Sequence, residues 1–144
     1  MKTSAKAIMA VMALEQLEGW VEPQQLELLK DLCCGGEEAG HFRALVCAMA
    51  ARIAGMPKTY AQEGKGDQAM AYLHYFRGGS DFWILERDSE PEQLQAFGLA
   101  QINGQDPELG YINIPELVAN NFELELYDQP RTLAEIKAKR LRAA

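Results

Sequence analysis

Residues 70–87 read MAYLHYFRGGSDFWILER, and this stretch decides the fold class. Met70 to Phe76 is rich in apolar and aromatic side chains. Gly78-Gly79 follows, and Asp81 to Arg87 carries Phe82, Trp83, Ile84 and Leu85. Two such runs around a glycine pair spell a β-hairpin, because glycine enters a tight turn without steric penalty. Working outward, Ser89, Glu90 and Pro91 supply the next turn and Gln95 to Ile102 a third strand. Asn103-Gly104 is a strong turn pair, and Glu108 to Ile112 is a fourth strand. The pattern predicts an antiparallel meander.

C-terminal to the meander, Asn113 caps a short helix with Pro115 in its first turn and Glu116 three residues after the cap. Asn120 and Asn121 tolerate the left-handed conformation that ends a helix. Phe122, Leu124 and Leu126 alternate with Glu123, Glu125 and Tyr127, the pattern of a half-buried strand. Thr132 and Glu135 repeat the capping arrangement and open a last helix with Lys137, Lys139, Arg140 and Arg142. Cations suit a helix C-terminus.

N-terminal to the hairpin the period changes. Thr3 or Ser4 caps a helix running to about Glu18, with Gly19 ending it. Pro23 opens a second helix, with Leu26, Leu29 and Cys33 on one face, and Gly35-Gly36 breaks it. Phe42, Leu45, Val46, Met49 and Ile53 form a continuous apolar stripe on a third helix, stopped by Gly55 and Pro57. Residues 57–69 are polar and glycine-bearing, the expected linker. The expected organisation is a helical segment over 1–56, that linker, and an antiparallel β-sheet domain with two short helices over 70–144. The fold class is α+β: three N-terminal helices packed on a four- to five-stranded antiparallel sheet.

The 144 residues suffice for one ordinary domain or two small packed units, and 48% hydrophobic residues make a real core. No apolar run approaches the roughly 20 residues that span a bilayer. Glu15 and Glu18 interrupt the apolar stretch Ala7 to Leu14, so it reads as an amphipathic helix rather than a signal peptide. The odd set Cys33, Cys34 and Cys47 is a poor disulfide framework and fits a reducing compartment, so the expected location is cytoplasmic.

Charge segregates along the chain. From Ser80 to Asp128 the acids are Asp81, Glu86, Asp88, Glu90, Glu92, Asp106, Glu108, Glu116, Glu123, Glu125 and Asp128. Eleven acids against one base, Arg87, leave −10. The formal charge of the whole chain is −7, which argues against direct nucleic-acid binding or docking on anionic membranes. Such carboxylates keep a small sheet soluble and protect its edges. If they share a surface, they present a negative patch to a basic protein partner, with association that weakens in salt. A nucleic-acid-binding protein, whose groove attracts phosphates, is the natural owner of such a basic surface.

Other chemistries fit less well. Cys33, Cys34, His41 and Cys47 are potential soft ligands, but adjacent cysteines do not give the spaced pairs of a zinc site, and no metal or cofactor is expected. His74 on its strand reads first as a packed or partly exposed histidine. As a general base it would need Asp81 or Glu86 beside it, the arrangement of a small hydrolase. Gly64-Lys65-Gly66 lacks the rest of a phosphate loop, and no nucleophile elbow is present. The aromatics Tyr72, Tyr75, Phe76, Phe82 and Trp83 read as core, since a base-stacking platform would also need a positive groove.

Several motifs occur in a fixed order: Pro57-Lys58-Thr59-Tyr60, His74-Tyr75-Phe76, Gly78 to Ile84, Gln95-Ala96-Phe97-Gly98-Leu99-Ala100, Pro107-Glu108-Leu109-Gly110-Tyr111-Ile112, Glu116-Leu117, Tyr127, and Pro130 to Leu133. In this order they resemble the proteins of the domain of unknown function numbered 2958, carried by plasmids, phages and integrative elements. The resemblance covers about residues 57–139. It implies no activity and no catalytic residues. It implies a context of mobile elements, beside conjugation, antirestriction or methylase genes. Gly98 and Gly110 read as structural glycines within strands.

Three functional expectations follow. The first is a non-enzymatic accessory protein of a mobile element that binds a basic protein surface through the eleven acids and inhibits a host nucleic-acid-targeting defence system of the CRISPR or restriction type. The second is a small hydrolase using His74 with Asp81 or Glu86. The third is a regulatory or structural subunit that self-associates through its N-terminal helices, where Met9, Met12 and Met49 offer apolar surface.

Overall fold

The computed structural model describes residues 4–143, with side chains described through Lys139. Thr3, and the side chains of Arg140 and Arg142, therefore lie outside the described residues.

Three helices come first: α1 (Ala5–Leu17), α2 (Pro23–Cys34) and α3 (Ala39–Ala54). The Ser4 hydroxyl caps α1 by accepting from the Ala7 N–H, and Gly19 turns the chain at φ +84. Pro23 sits at the start of α2, where its missing N–H is no loss, and the Glu22 carboxylate accepts from the Gln24 and Gln25 N–H groups. The stripe on α3 is real: Val46, Met49 and Ile53 are buried, and Phe42 packs beside them.

Seven strands follow: β1 (Met70–Ala71), β2 (Leu73–Arg77), β3 (Ser80–Glu86), β4 (Ala96–Gln101), β5 (Glu108–Ile112), β6 (Glu123–Leu124) and β7 (Arg131–Thr132). Helices α4 (Ile114–Ala119) and α5 (Leu133–Ala143) complete the chain. The main sheet has the order β5-β4-β3-β2-β6, and all its pairs are antiparallel. The hairpin closes with Arg77 opposite Ser80 around Gly78 at φ +55. The Asn113 side chain caps α4 at Glu116, and both halves of the Thr132–Glu135 capping box form at the start of α5. The fold is α+β, as the pattern predicts.

The sheet is covered on both faces. Leu73, Tyr75, Ile84, Ala96, Ile112 and Leu124 pack with α1–α3 and with Ile114 and Leu117 of α4 in one continuous core. On the other face Trp83, Leu85 and Leu99 pack with Ala69, Ala71, and Leu133 and Ile136 of α5. Gly98 allows strand β4 to pass: a Cβ there would lie 2.0 Å from the Trp83 carbonyl oxygen. Gly110 differs from the sequence expectation, since a Cβ there would meet open space.

Three differences from the sequence pattern have physical causes. Residues 57–69 do not hang between two units but lie hydrogen-bonded against the sheet. Thr59 N–H donates to the Arg87 carbonyl and Arg87 N–H to the Pro57 carbonyl, while a short 3-10 turn covers Gly66–Gln68. The run Met70–Phe76 splits into two strands, because β1 pairs with β7 rather than with the main sheet. The alternating run Phe122–Tyr127 yields only the two residues of β6. There the Gln25 carboxamide of α2 takes both the N–H and the carbonyl of Leu124, at 2.9 and 2.8 Å.

Among the described residues, no helix is long and apolar enough to cross a membrane.

Candidate functional site

A cleft of about 900 Å³ opens between the sheet and the segment leading into α5. Strand alternation sets its floor. His74 on β2 lies opposite Trp83 on β3, and Asp81 on β3 lies opposite Gln101 on β4. All four side chains point to the α5 face, because residues two apart and residues directly paired share a face. The walls come from Asp106 and Pro107 in the loop after β4, from Glu125, Tyr127, Asp128 and Arg131 after β6, and from Lys137 and Lys139 on α5.

The imidazole is held tightly. Its ring lies flat on Trp83, with centroids 5.0 Å apart and planes 8° from parallel. Nε2 is 2.8 Å from Asp81 Oδ1, and Nδ1 is 4.0 Å from Asp128 Oδ2. Asp128 also pairs with the Arg131 guanidinium. Its position is fixed from the helical side of the sheet by Arg52 of α3, which donates to the Asp128 carbonyl at 2.9 Å and to the Tyr72 carbonyl at 3.4 Å. Burial pulls the Arg52 guanidinium below its ordinary pKa. Tyr127 leans on His41 at the start of α3, their rings stacked at 6.0 Å and their polar atoms 3.3 Å apart. Lys137 reaches Asp67 of the 3-10 turn at 2.7 Å.

Gln101 is 7% exposed, and its Oε1 has no hydrogen-bond partner among the described residues. It lies on the cleft floor beside Asp81.

The eleven acids do not share one surface. Asp81, Asp106, Glu125 and Asp128 meet at the cleft. Glu86 is buried and structural: its two oxygens accept from the Tyr60 and Gln62 N–H groups at 2.8 and 2.6 Å. Asp88 is buried too, and accepts from the Glu90 and Gln95 N–H groups. Glu108 and Glu123 sit on strands at opposite edges of the sheet. Glu116 is exposed on α4, and Glu92 borders a separate crevice with Glu18, Trp20 and three prolines. The basic segment partly offsets the cleft acids, since Arg131, Lys137 and Lys139 stand on its wall.

Of the hydrolase residues expected from the sequence, His74 and Asp81 come together. Glu86 does not join them, because its carboxylate is committed to the 60–62 backbone. Gln101, Trp83 and Tyr127 were not legible as site residues. Gln101 falls in the turn-side end of an unremarkable strand, Trp83 reads as core, which it also is, and Tyr127 reads as one beat of an alternating strand.

The cysteines stand apart from this site. Cys33 is buried, and burial raises its thiol pKa, while Cys34 is exposed. Among the described residues, no group of three or more His, Cys, Asp or Glu side chains is placed to hold a metal ion.

Compared with protein-family models, with curated proteins and with solved structures, the chain matches none of them.

Proposed function

We propose that this is a non-enzymatic accessory protein that binds a basic protein surface, taking a cationic group of its partner into the cleft under α5. The observation that supports this is the gathering of Asp81, Asp106, Glu125 and Asp128 around one concavity with aromatic walls. Two of the neighbouring bases already have carboxylate partners, Arg131 with Asp128 and Lys137 with Asp67. The site is narrower than the eleven-residue patch, and the remaining acids serve structure or solubility. On the resemblance alone, the partner belongs to the setting of a phage or plasmid, where a nucleic-acid-targeting defence complex offers basic grooves. The test is fluorescence anisotropy of a labelled arginine-rich peptide at low and high salt. Binding is expected to weaken steeply with salt and to fall at least tenfold in the double variant Asp81→Asn, Glu125→Gln. Absent or salt-independent binding overturns the proposal.

A second reading is favoured by the 2.8 Å His74–Asp81 pair inside a cleft, the geometry of an oriented general base. Among the described residues the cleft walls hold no Ser, Thr or Cys, and water is the nucleophile this reading uses. Turnover of model esters or phosphodiesters that vanishes in His74→Gln would establish it. Equal rates in both proteins would remove it. Self-association is favoured by a different feature, the exposed Ile8, Met9, Val11 and Met12 on α1. Light scattering that shows a monomer at micromolar concentration would exclude it.

A further inference from the structure

The geometry points to strand addition: the outer edge of β5 takes an extended segment of the partner, antiparallel, whose C-terminal basic residues then enter the cleft. The inference rests on the proposed binding reading and says what form the basic partner takes. The main sheet has two outer strands, β6 and β5, and the chain treats them differently. At β6 the Gln25 amide takes up the N–H and the carbonyl of Leu124. At β5 no hydrogen bond reaches the outer edge among the described residues. A strand directs alternate N–H and carbonyl groups to each side, so this edge is a row of donors and acceptors ready for another strand. Such edges are normally blunted by charge or proline. From Leu109 to Ile112 there is neither, and Leu109 and Tyr111 are 51% and 55% exposed. Gly110 between them has no positive φ, and a Cβ there would meet nothing, so no contact within the chain calls for glycine at that point.

Area and charge choose the occupant. A stable pair of folded chains takes about 800 Å² from each partner, and a five-residue edge about 17 Å long does not supply it. A single extended segment needs less, because its main-chain hydrogen bonds carry the affinity. From Ile102 to Glu116 the chain has Asp106, Glu108 and Glu116 and no base, which favours a cationic segment over a second acidic copy. Tyr111 packs edge-on against Phe97 of β4, and its hydroxyl meets that of exposed Tyr60, so the α5 face offers an apolar shelf beside the edge. Direction follows from the cleft. Asp106 and Pro107 line it just before β5 begins, so β5 runs away from the cleft. An antiparallel neighbour, the pairing used throughout this sheet, runs towards it and leaves at Glu108 beside Asp106.

The test uses the full 15N-labelled chain and three fluorescein-labelled peptides: TVTVTRRR, the reversed RRRTVTVT, and TVTVTRRR N-methylated along its strand. TVTVTRRR is expected to slow amide exchange within Glu108–Ile112 and to bind more tightly than the reversed peptide, which would have to lie parallel. Methylation removes the donors to the edge and is expected to weaken binding about tenfold. Leu109→Ser, at an exposed position, is expected to weaken TVTVTRRR several-fold at an unchanged melting temperature. Should that variant unfold, exchange at β5 of the native chain decides alone. Equal binding of the three peptides, or unchanged exchange at β5 with TVTVTRRR bound, overturns the inference; salt-dependent binding of the arginine-rich peptide would then still support the wider reading. Slow exchange at β5 in a peptide-free chain that scatters light as a dimer also overturns it, because a second copy then holds the edge. Should TVTVT without arginines bind as tightly as TVTVTRRR, the strand site stands by itself and the cleft reading falls.

Discussion

Three glutamines act as pieces of backbone. A primary amide offers one donor side and one acceptor side, like a peptide group, so it can close a strand edge that no strand reaches. Gln25 does this for Leu124 and Gln93 for Asp88. Gln62 is the most committed of the three. Its Oε1 accepts from Met70 N–H at 2.6 Å, and its Nε2 donates to the carbonyls of Met70 and Leu85 at 2.8 and 2.9 Å. Gln62→Leu would keep the bulk and strand these groups. With about 1–3 kcal/mol for each unpaired buried group and partial relaxation, the expected loss is about 2–4 kcal/mol in chemical denaturation. Tyr75 makes a second prediction. It is fully buried, it donates to the Trp20 carbonyl at 2.5 Å, and burial holds its phenol well above the ordinary range. In the unfolded chain the phenol ionises from about pH 10 upward, whereas in the folded chain it stays neutral. Its contribution to stability is therefore whole below about pH 10 and drains away as the pH rises beyond it. The melting temperature of the native chain should fall across this alkaline window more steeply than that of Tyr75→Phe.

At the scale of elements, α5 matters most, because it both caps the second core and walls the cleft. Leu133 and Ile136 bury against Trp83 and Leu99, and the capping box at Thr132 and Glu135 fixes where the helix starts. Thr132→Ala removes the side-chain acceptor for the Glu135 N–H. A cost of about 0.5–2 kcal/mol is expected, read as faster amide exchange along α5 and a smaller drop in global stability. The caps at Ser4, Asn113 and Thr132, the turns and the apolar stripe of α3 were legible in the sequence, since each depends on residues within one or two turns of each other, whereas the Glu22 cap of α2 was not read there. Strand lengths were less so. The run Phe122–Tyr127 has the alternation of a full strand, yet only Glu123 and Leu124 pair with β2, and the opposite edge of Leu124 is taken by the Gln25 amide rather than by another strand. Alternation reports which face of a strand is buried, and nothing about what lies at its edge.

Across the whole molecule, the segment read as a linker is a strap that ties the two halves together. Glu86 reaches from the sheet to hold the backbone at residues 60 and 62, and the main core is shared between α1–α3 and one full face of the sheet. A chain beginning at Pro57 would uncover Leu73, Tyr75, Ile84 and Ile112. It should show no cooperative unfolding transition and should aggregate, whereas the native chain should unfold in one step by both far- and near-ultraviolet circular dichroism. By itself the sequence determined the α+β class, the meander and its turns, and most helix starts, because periodicity and capping act over a few residues. It also carried the charge segregation. Only the tertiary structure decided which acids meet: Glu86 and Asp88 went inside as backbone acceptors, while Asp81, Asp106, Glu125 and Asp128 gathered at one cleft with His74 and Gln101. Strand pairing and the return of α5 over the sheet set that grouping, and contacts between residues so distant in the chain leave no local pattern to read.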